Sequence, residues 1–160
     1  MKEFLFKLWG WLPIPFWAEW RFIWCITQKF LVGAIAVIFD REGKILLFRH
    51  TYRRKYPWGL PGGWLKYGED ADQGLKRELQ EEAGFTIEVK KPLLIGRSKY
   101  YPRIDLVFLC EYPHGEFRPS AEVSESRFFE IEAVSQLLKP EENDLITRII
   151  TDLNRDKERS

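Results

Sequence analysis

Four glutamates crowd one stretch of this 160-residue chain. They are Glu69, Glu78, Glu81 and Glu82, within GWLKYGEDADQGLKRELQEEAGF, which runs from Gly63 to Phe85. Residues 70–83 have helical spacing. At 100° per residue, with Ala71 at zero, Leu75 falls at about 40° and Leu79 at about 80°. On the same wheel Glu78 lies at about 340°, Glu82 at about 20° and Glu81 at about 280°. The three carboxylates therefore form one arc that overlaps the edge of a narrow apolar stripe, and Glu69 reaches the same region from just before the helix. This arrangement is costly by itself. Glu78 and Glu82 are a like-charge i,i+4 pair, and Glu81 and Glu82 sit near the negative end of the helix dipole. Gly74 in mid-helix costs up to about 1 kcal/mol relative to alanine. A cation would offset the repulsion. Carboxylates with no thiol or imidazole among them suit a hard one, Mg²⁺, with Mn²⁺ as a substitute. Gly74 would let another segment approach closely. The competing reading is a solvated acidic helix face.

Basic side chains flank this segment. Arg49, Arg53, Arg54 and Lys55 precede it, and Arg97, Lys99 and Arg103 follow it. Phosphate oxygens attract such groups, although each one read alone is a solvated loop residue. Tyr52, Tyr56, Trp58 and Tyr101 could stack on a base, and each read alone is packing.

The segment resembles the Nudix box: glycine, five residues, glutamate, seven residues, Arg-Glu, an aliphatic residue, any residue, Glu-Glu, any residue, glycine and a hydrophobic residue. Gly63, Glu69, Arg77, Glu78, Leu79, Glu81, Glu82, Gly84 and Phe85 fill every defined place. The resemblance implies an α/β/α sandwich and a hydrolase of a nucleoside diphosphate linked to another moiety. It implies that Glu78, Glu81 and Glu82 hold divalent metal, that Glu69 assists, and that Arg77 orients a carboxylate. Gly62 and Gly63 then shape the loop entering the helix. The segment AEVSESRFFEI resembles the family's late acidic loop, which makes Glu122 and Glu125 candidates for the general base, Glu122 the favoured one. A box glutamate is the alternative base. The family's substrate markers lie about 15 to 18 residues beyond the box, where this chain has Tyr100, Tyr101 and Pro102 and so points two ways. ADP-ribose or a nucleotide sugar is the first expectation, and a dinucleoside polyphosphate or nucleoside triphosphate the second. Arg49, Arg53, Arg54, Tyr101 and Arg103 are the candidates for substrate contact.

The elements that must position these groups follow from patterning. Val32 to Phe39 is a near-continuous apolar run and reads as a buried strand. Asp40 to Gly43 is a turn, and Lys44 to Phe48 a returning strand, so 32–48 reads as a hairpin. After the helix, Gly84 suits the left-handed stop. Strands are expected at 85–95, 104–112 and 126–131, and helices at 131–139 and 141–153. The class is α+β, with helices packed on a mixed sheet. Three regions result: an aromatic helical arm at 1–30, a hydrolase domain at 31–153, and a polar tail at 154–160.

The arm is the unusual part. Five of the seven tryptophans, Trp9, Trp11, Trp17, Trp20 and Trp24, lie in the first 24 residues. The longest charge-free run there, Leu8 to Ala18, is interrupted by Pro13 and Pro15. It is too short for a spanning helix, which needs about 20 residues. No small-residue cleavage site marks a secretory signal. A helix from Pro15 to about Lys29, apolar around much of its circumference, must pack on its own domain, on a second copy of the chain, or on a membrane surface. Lys2, Lys7, Arg21 and Lys29 accompany its aromatics. Net charge is +1, which gives no reason to expect general nucleic-acid binding. Cys25 and Cys110 fit no zinc pattern and read as buried free thiols of a cytoplasmic protein, with a single disulfide as the alternative. Two rival functions remain at this stage: a non-catalytic nucleotide sensor on the same fold, and a membrane-surface protein acting through the arm.

Overall fold

The computed structural model describes residues 15–158. Trp9, Trp11, Lys2, Lys7 and Pro13 lie outside the described residues. Helix α1 (Phe16–Ile26) comes first, then strands β1 (Leu31–Ile38), β2 (Ile45–His50), β3 (Trp58–Gly59) and β4 (Gly62–Trp64). Helix α2 (Ala71–Ala83) follows, then β5 (Val89–Arg97), β6 (Arg103–Cys110) and β7 (Val123–Phe129), and finally helices α3 (Ile131–Leu137) and α4 (Pro140–Glu158). The strands form two sheets, ordered β4-β1-β6-β5 and β3-β2-β7. The first is mixed: β1 runs parallel to β6 and antiparallel to β4.

Side chains alternate across each strand, and both faces are covered here. Ala34, Ala36 and Ile38 of β1, with Leu46 and Phe48 of β2, join Leu75, Leu79 and Ala83 of α2 in one core. Val37, Ile45 and Leu47, pointing the other way, join Val107 of β6, Val134 of α3, and Ile146 and Ile149 of α4 in a second. β1 and the first four residues of β2 are apolar without interruption because both of their faces are covered, as the expected α/β/α sandwich requires.

Three expectations change. The 32–48 hairpin does not form as one ladder. The turn is well made: Asp40 Oδ1 accepts the N–H groups of Glu42 (2.9 Å) and Lys44 (2.8 Å). After a single bridge, Phe39 to Ile45, β1 and β2 part into different sheets. Each pairs instead with a strand distant in sequence, β6 for one and β7 for the other. The polar tail expected at 154–160 is helical as far as Glu158, as a continuation of α4. Cys110 is buried, its thiol pushed up to about 12 by that burial, but Cys25 is exposed, and both are free.

Cys25 is exposed because α1 buries no residue at all. Trp17 is 70% exposed and Trp24 64%. Packing of the arm on its own domain, one of its three expected fates, is therefore not what the described residues do. No described helix is long and apolar enough to cross a membrane.

Candidate active site

Helix α2 begins after Asp70 and stops at Gly84, whose φ of 71° is the left-handed stop expected of it. Its apolar stripe is buried as the wheel requires, and Glu82 is buried with it at 8% exposure. Glu78 is nearly as enclosed, while Glu81 stands in solvent. Two glycines let the surroundings close on this helix. A Cβ on Gly63 would lie 2.3 Å from Glu78 Cδ, so the Glu78 carboxylate rests directly on the β4 backbone. A Cβ on Gly74 would lie 2.4 Å from Leu65 Cδ2 and 2.8 Å from Glu69 Oε2, so the loop carrying Glu69 folds onto mid-helix. That is the close approach its mid-helix position implied.

Arg77 organises the acids. Its Nε donates to Glu69 Oε1 (2.7 Å) and its Nη2 to Glu69 Oε2 (3.0 Å), a two-pronged pair. Nη1 donates to Glu78 Oε1 (2.7 Å) and Glu81 Oε2 (3.1 Å), and Nη2 also reaches the Trp64 carbonyl (3.1 Å). The Lys66 N–H adds a bond to Glu69 Oε2. Arg77, with Lys66 behind it, holds the Glu69 carboxyl down at about 2.

Glu82 has the opposite environment. Its Oε2 is buried and has no hydrogen-bond partner. Burial first, then the negative charges of Glu78 and Glu122, push its carboxyl up to about 8, against the pull of Arg53. A buried acid in that state binds a proton tightly, and a cation in the proton's place would be favoured for the same reason. Among the described residues, no three carboxylate, imidazole or thiol groups form a ready-made metal cage. Arg77 accounts for that, since it draws Glu69, Glu78 and Glu81 onto one guanidinium. The donor set nonetheless fits a hard cation: it is all oxygen, with one buried oxygen uncommitted.

Arg77, Glu78, Glu81 and Glu82 line a cleft of about 680 Å³, whereas Glu69 stands behind Arg77 and does not. Of the residues expected to touch substrate, Arg53 and Arg103 line it. Arg49, Arg54 and Tyr101 do not. Arg49 turns to Glu125 (3.4 Å) and the Ser124 hydroxyl, and Arg54 and Tyr101 face solvent. Arg97 and Lys99 also reach the cleft. Glu122 lines it but Glu125 does not. The separation comes from an irregularity in the β2–β7 ladder, where Arg49 faces Glu125 but His50 already faces Val123. The extra residue, Ser124, turns the chain, and the Glu122 carbonyl then accepts the Thr51 N–H at 2.9 Å.

The far wall holds groups that sequence reasoning passed over. His50 ends β2 buried, neither ring nitrogen bonded, and burial with the charges of Arg53 and Lys139 lowers it to about 4. Arg53 donates to Glu142 Oε1 at 2.9 Å, while Glu142 Oε2 has no partner and burial raises its carboxyl. Glu141 accepts the Ser98 hydroxyl and the Lys99 N–H, each at 2.9 Å. Arg103, set over the Trp64 ring, donates to the buried Asp105 at 2.9 Å. Asp105 had a legible signal, a lone acid within the apolar strand RIDLVFLC. Glu141 and Glu142 had none, because acids after Pro140 are ordinary first-turn residues of a helix.

Comparison with known proteins agrees with this geometry. The family model described as NUDIX domain matches residues 29–150. An ADP-ribose pyrophosphatase of Methanocaldococcus jannaschii is 31% identical over 120 residues, 69% of each chain. A NAD-capped RNA hydrolase of Vibrio parahaemolyticus is 32% identical over 59% of this chain, which spans only 37% of that relative's length. The crystal structure of an ADP-ribose pyrophosphatase from Streptococcus suis superposes with a TM-score of 0.59 and 28% identity, over 73% of this chain and 89% of that one. A box complete in every place, a sandwich with both faces covered and a match over most of the chain lead to one conclusion: this protein belongs to the Nudix hydrolase family.

Proposed function

We propose that the protein hydrolyses the diphosphate linkage of a nucleoside diphosphate derivative, with ADP-ribose or a nucleotide sugar the first substrate class. The observation that carries this reading is Glu82: a buried carboxylate with an uncommitted oxygen, beside Glu78 and Glu122, in a cleft whose other wall carries Arg53, Arg97, Lys99 and Arg103 among the acids Asp105, Glu141 and Glu142. Glu78, Glu81 and Glu82, with Glu69 assisting, would hold Mg²⁺, or Mn²⁺ in its place. When bound, the metal supplies charge neutralisation on the diphosphate and acidifies a water. Arg53, Arg97, Lys99 and Arg103 approach the same space and can take the remaining phosphate charge. Trp64, half-exposed at the edge of the cleft, offers an aromatic face to a base. Glu122 is the general base in this reading, since it lines the cleft and its charge is felt by Glu82. A cleft of about 680 Å³ is of the size that takes a whole small ligand. The relative named an ADP-ribose pyrophosphatase favours ADP-ribose as the first compound to try.

The deciding experiment incubates the enzyme with Mg²⁺ and a panel of ADP-ribose, nucleotide sugars, dinucleoside polyphosphates and nucleoside triphosphates, and measures the products. AMP with ribose 5-phosphate from ADP-ribose is the expected outcome. Pyrophosphate released only from triphosphates would move the substrate class to the second expectation. Mg²⁺-dependent binding of the panel without cleavage of any member would make the protein a sensor.

A further inference from the structure

We infer that helix α1, together with the aromatic loop at its root, attaches the protein to the surface of an anionic lipid bilayer. On a helical wheel with Phe16 at zero, Ile23 falls at about 340°, Trp20 at about 40°, Trp24 at about 80° and Trp17 at about 100°. Three indoles, a phenyl ring and an isoleucine thus fill one continuous arc. All five are exposed, Phe16 at 73% and Ile23 at 39% marking the extremes. Arg21, at about 140°, and Glu19, at about 300°, border the arc, and the exposed Ile26 and Phe22, at about 280° and 240°, extend apolar surface beyond Glu19.

The patch continues onto the domain. The Leu31 N–H donates to the Pro102 carbonyl at 2.8 Å. This bond ties the start of β1, where Phe30 and Leu31 are exposed, to the loop that exposes Tyr100 and Tyr101. Arm and loop therefore share one end of the sheet, and their aromatics come with cations. Lys29 Nζ lies 4.9 Å from the centre of the Trp24 ring, Arg21 borders the arc, and Lys99 begins the loop. Over residues 1–30 four basic residues (Lys2, Lys7, Arg21, Lys29) stand against two acids, Glu3 and Glu19.

The chemistry of these residues selects the occupant. Tryptophan and tyrosine carry an apolar body with a polar tip, and settle where hydrocarbon meets headgroups. Flanking lysine and arginine extend to the anionic phosphates outside. A second copy is the weaker partner, because it would set one net-positive arm, four basic residues against two acids, on another of the same sign. Eleven residues are too few to span a bilayer, which leaves the helix lying in the plane of the interface.

The test is co-sedimentation of the full chain with vesicles of phosphatidylcholine alone and of phosphatidylcholine with one quarter phosphatidylglycerol. Binding at least tenfold tighter to the anionic vesicles is expected, falling at least tenfold in the Trp17→Ser/Trp20→Ser/Trp24→Ser variant. Tyr67→Ser, a fully exposed aromatic elsewhere, should leave it unchanged. Thermal melts followed by circular dichroism verify that each variant is folded, independently of any substrate. Arg21→Glu/Lys29→Glu should remove the preference for anionic vesicles. Negligible sedimentation with both vesicle types overturns the inference, as does binding that survives the triple substitution or is equal on neutral vesicles. A doubled mass in solution that the triple substitution halves, without vesicle binding, overturns it in favour of a dimer arm.

Discussion

Glu82 and Glu78 lie one helical turn apart and are held in different ways, so substitution separates them. Glu82 is buried with an unpaired oxygen, so Glu82→Gln should abolish most activity, at least 100-fold, while raising the stability of the metal-free protein. The pH dependence gives the sign. The folded carboxyl titrates at about 8 and an unfolded one near 4.5, so between those values the folded state holds a proton that the unfolded state has lost. Stability from this group is present at low pH and is lost as pH rises towards 8. His50, lowered to about 4 from 6.5, acts oppositely: it destabilises the fold as pH falls below 6.5. The window in which His50 no longer contributes is therefore pH 6.5 to 8, and comparison with Glu82→Gln separates Glu82 from Glu142, whose carboxyl burial also raises. In that window Glu82 should cost the metal-free protein about 2 kcal/mol, that share of the loss should vanish in Glu82→Gln, and Mg²⁺ should raise Tm more at pH 8 than at pH 6.5. Thermal melts in chelator and in Mg²⁺ measure all three. Gly63→Ala tests Glu78. Its methyl would overlap the Glu78 carboxylate and Cγ, so Glu78 must leave its bond to Arg77; stability should fall by about 1 to 2 kcal/mol while kcat falls tenfold or more. Glu122→Gln at near-normal turnover would remove Glu122 as the base. The box acids were legible because fixed helical spacing and a fixed motif reach the same residues. His50 and Glu142 were not, because each sits at the end of an element whose own chemistry explains it, and only the packing of β2 against α4 brings them together.

Among the elements, the helix limits were readable to within a residue or two at Asp70 and Gly84, since helical spacing starts at the one and a left-handed glycine stops it at the other. The division of β1 and β2 between two sheets was not readable. A turn signal reports that the chain reverses and says nothing about which strand each arm will join. The turn still contributes on its own account. Asp40→Ala removes two side-chain bonds to the N–H groups of Glu42 and Lys44, and should cost about 1 kcal/mol in denaturant titration with no change in kcat. The base candidates divide at this scale as well. Two acids three positions apart, Glu122 and Glu125, fall on different sides of a strand irregularity, so one enters the cleft and the other pairs with Arg49 and Arg127.

For the whole molecule, the arm and the enzyme are separable. The family match begins at residue 29 and α1 buries nothing. A chain lacking residues 1–28 should therefore keep its melting temperature to within about 2 °C and its kcat/KM on soluble substrates, as calorimetry and a steady-state assay would check. Both sheets, by contrast, are closed by distant parts of the chain. β1 pairs Leu31 with Arg103, and β2 pairs Ile45 with Phe129. This has a consequence for synthesis. Folding must wait for non-local pairing, which is slow, and the ribosome delivers the N-terminal half first at about 5–20 residues per second. The apolar strands β1 and β2 emerge seconds before β6 and β7 exist to receive them. Throughout that interval the tryptophan arm is already outside, ahead of every strand. The nascent chain would thus meet its lipid surface, or a chaperone, before it has an active site.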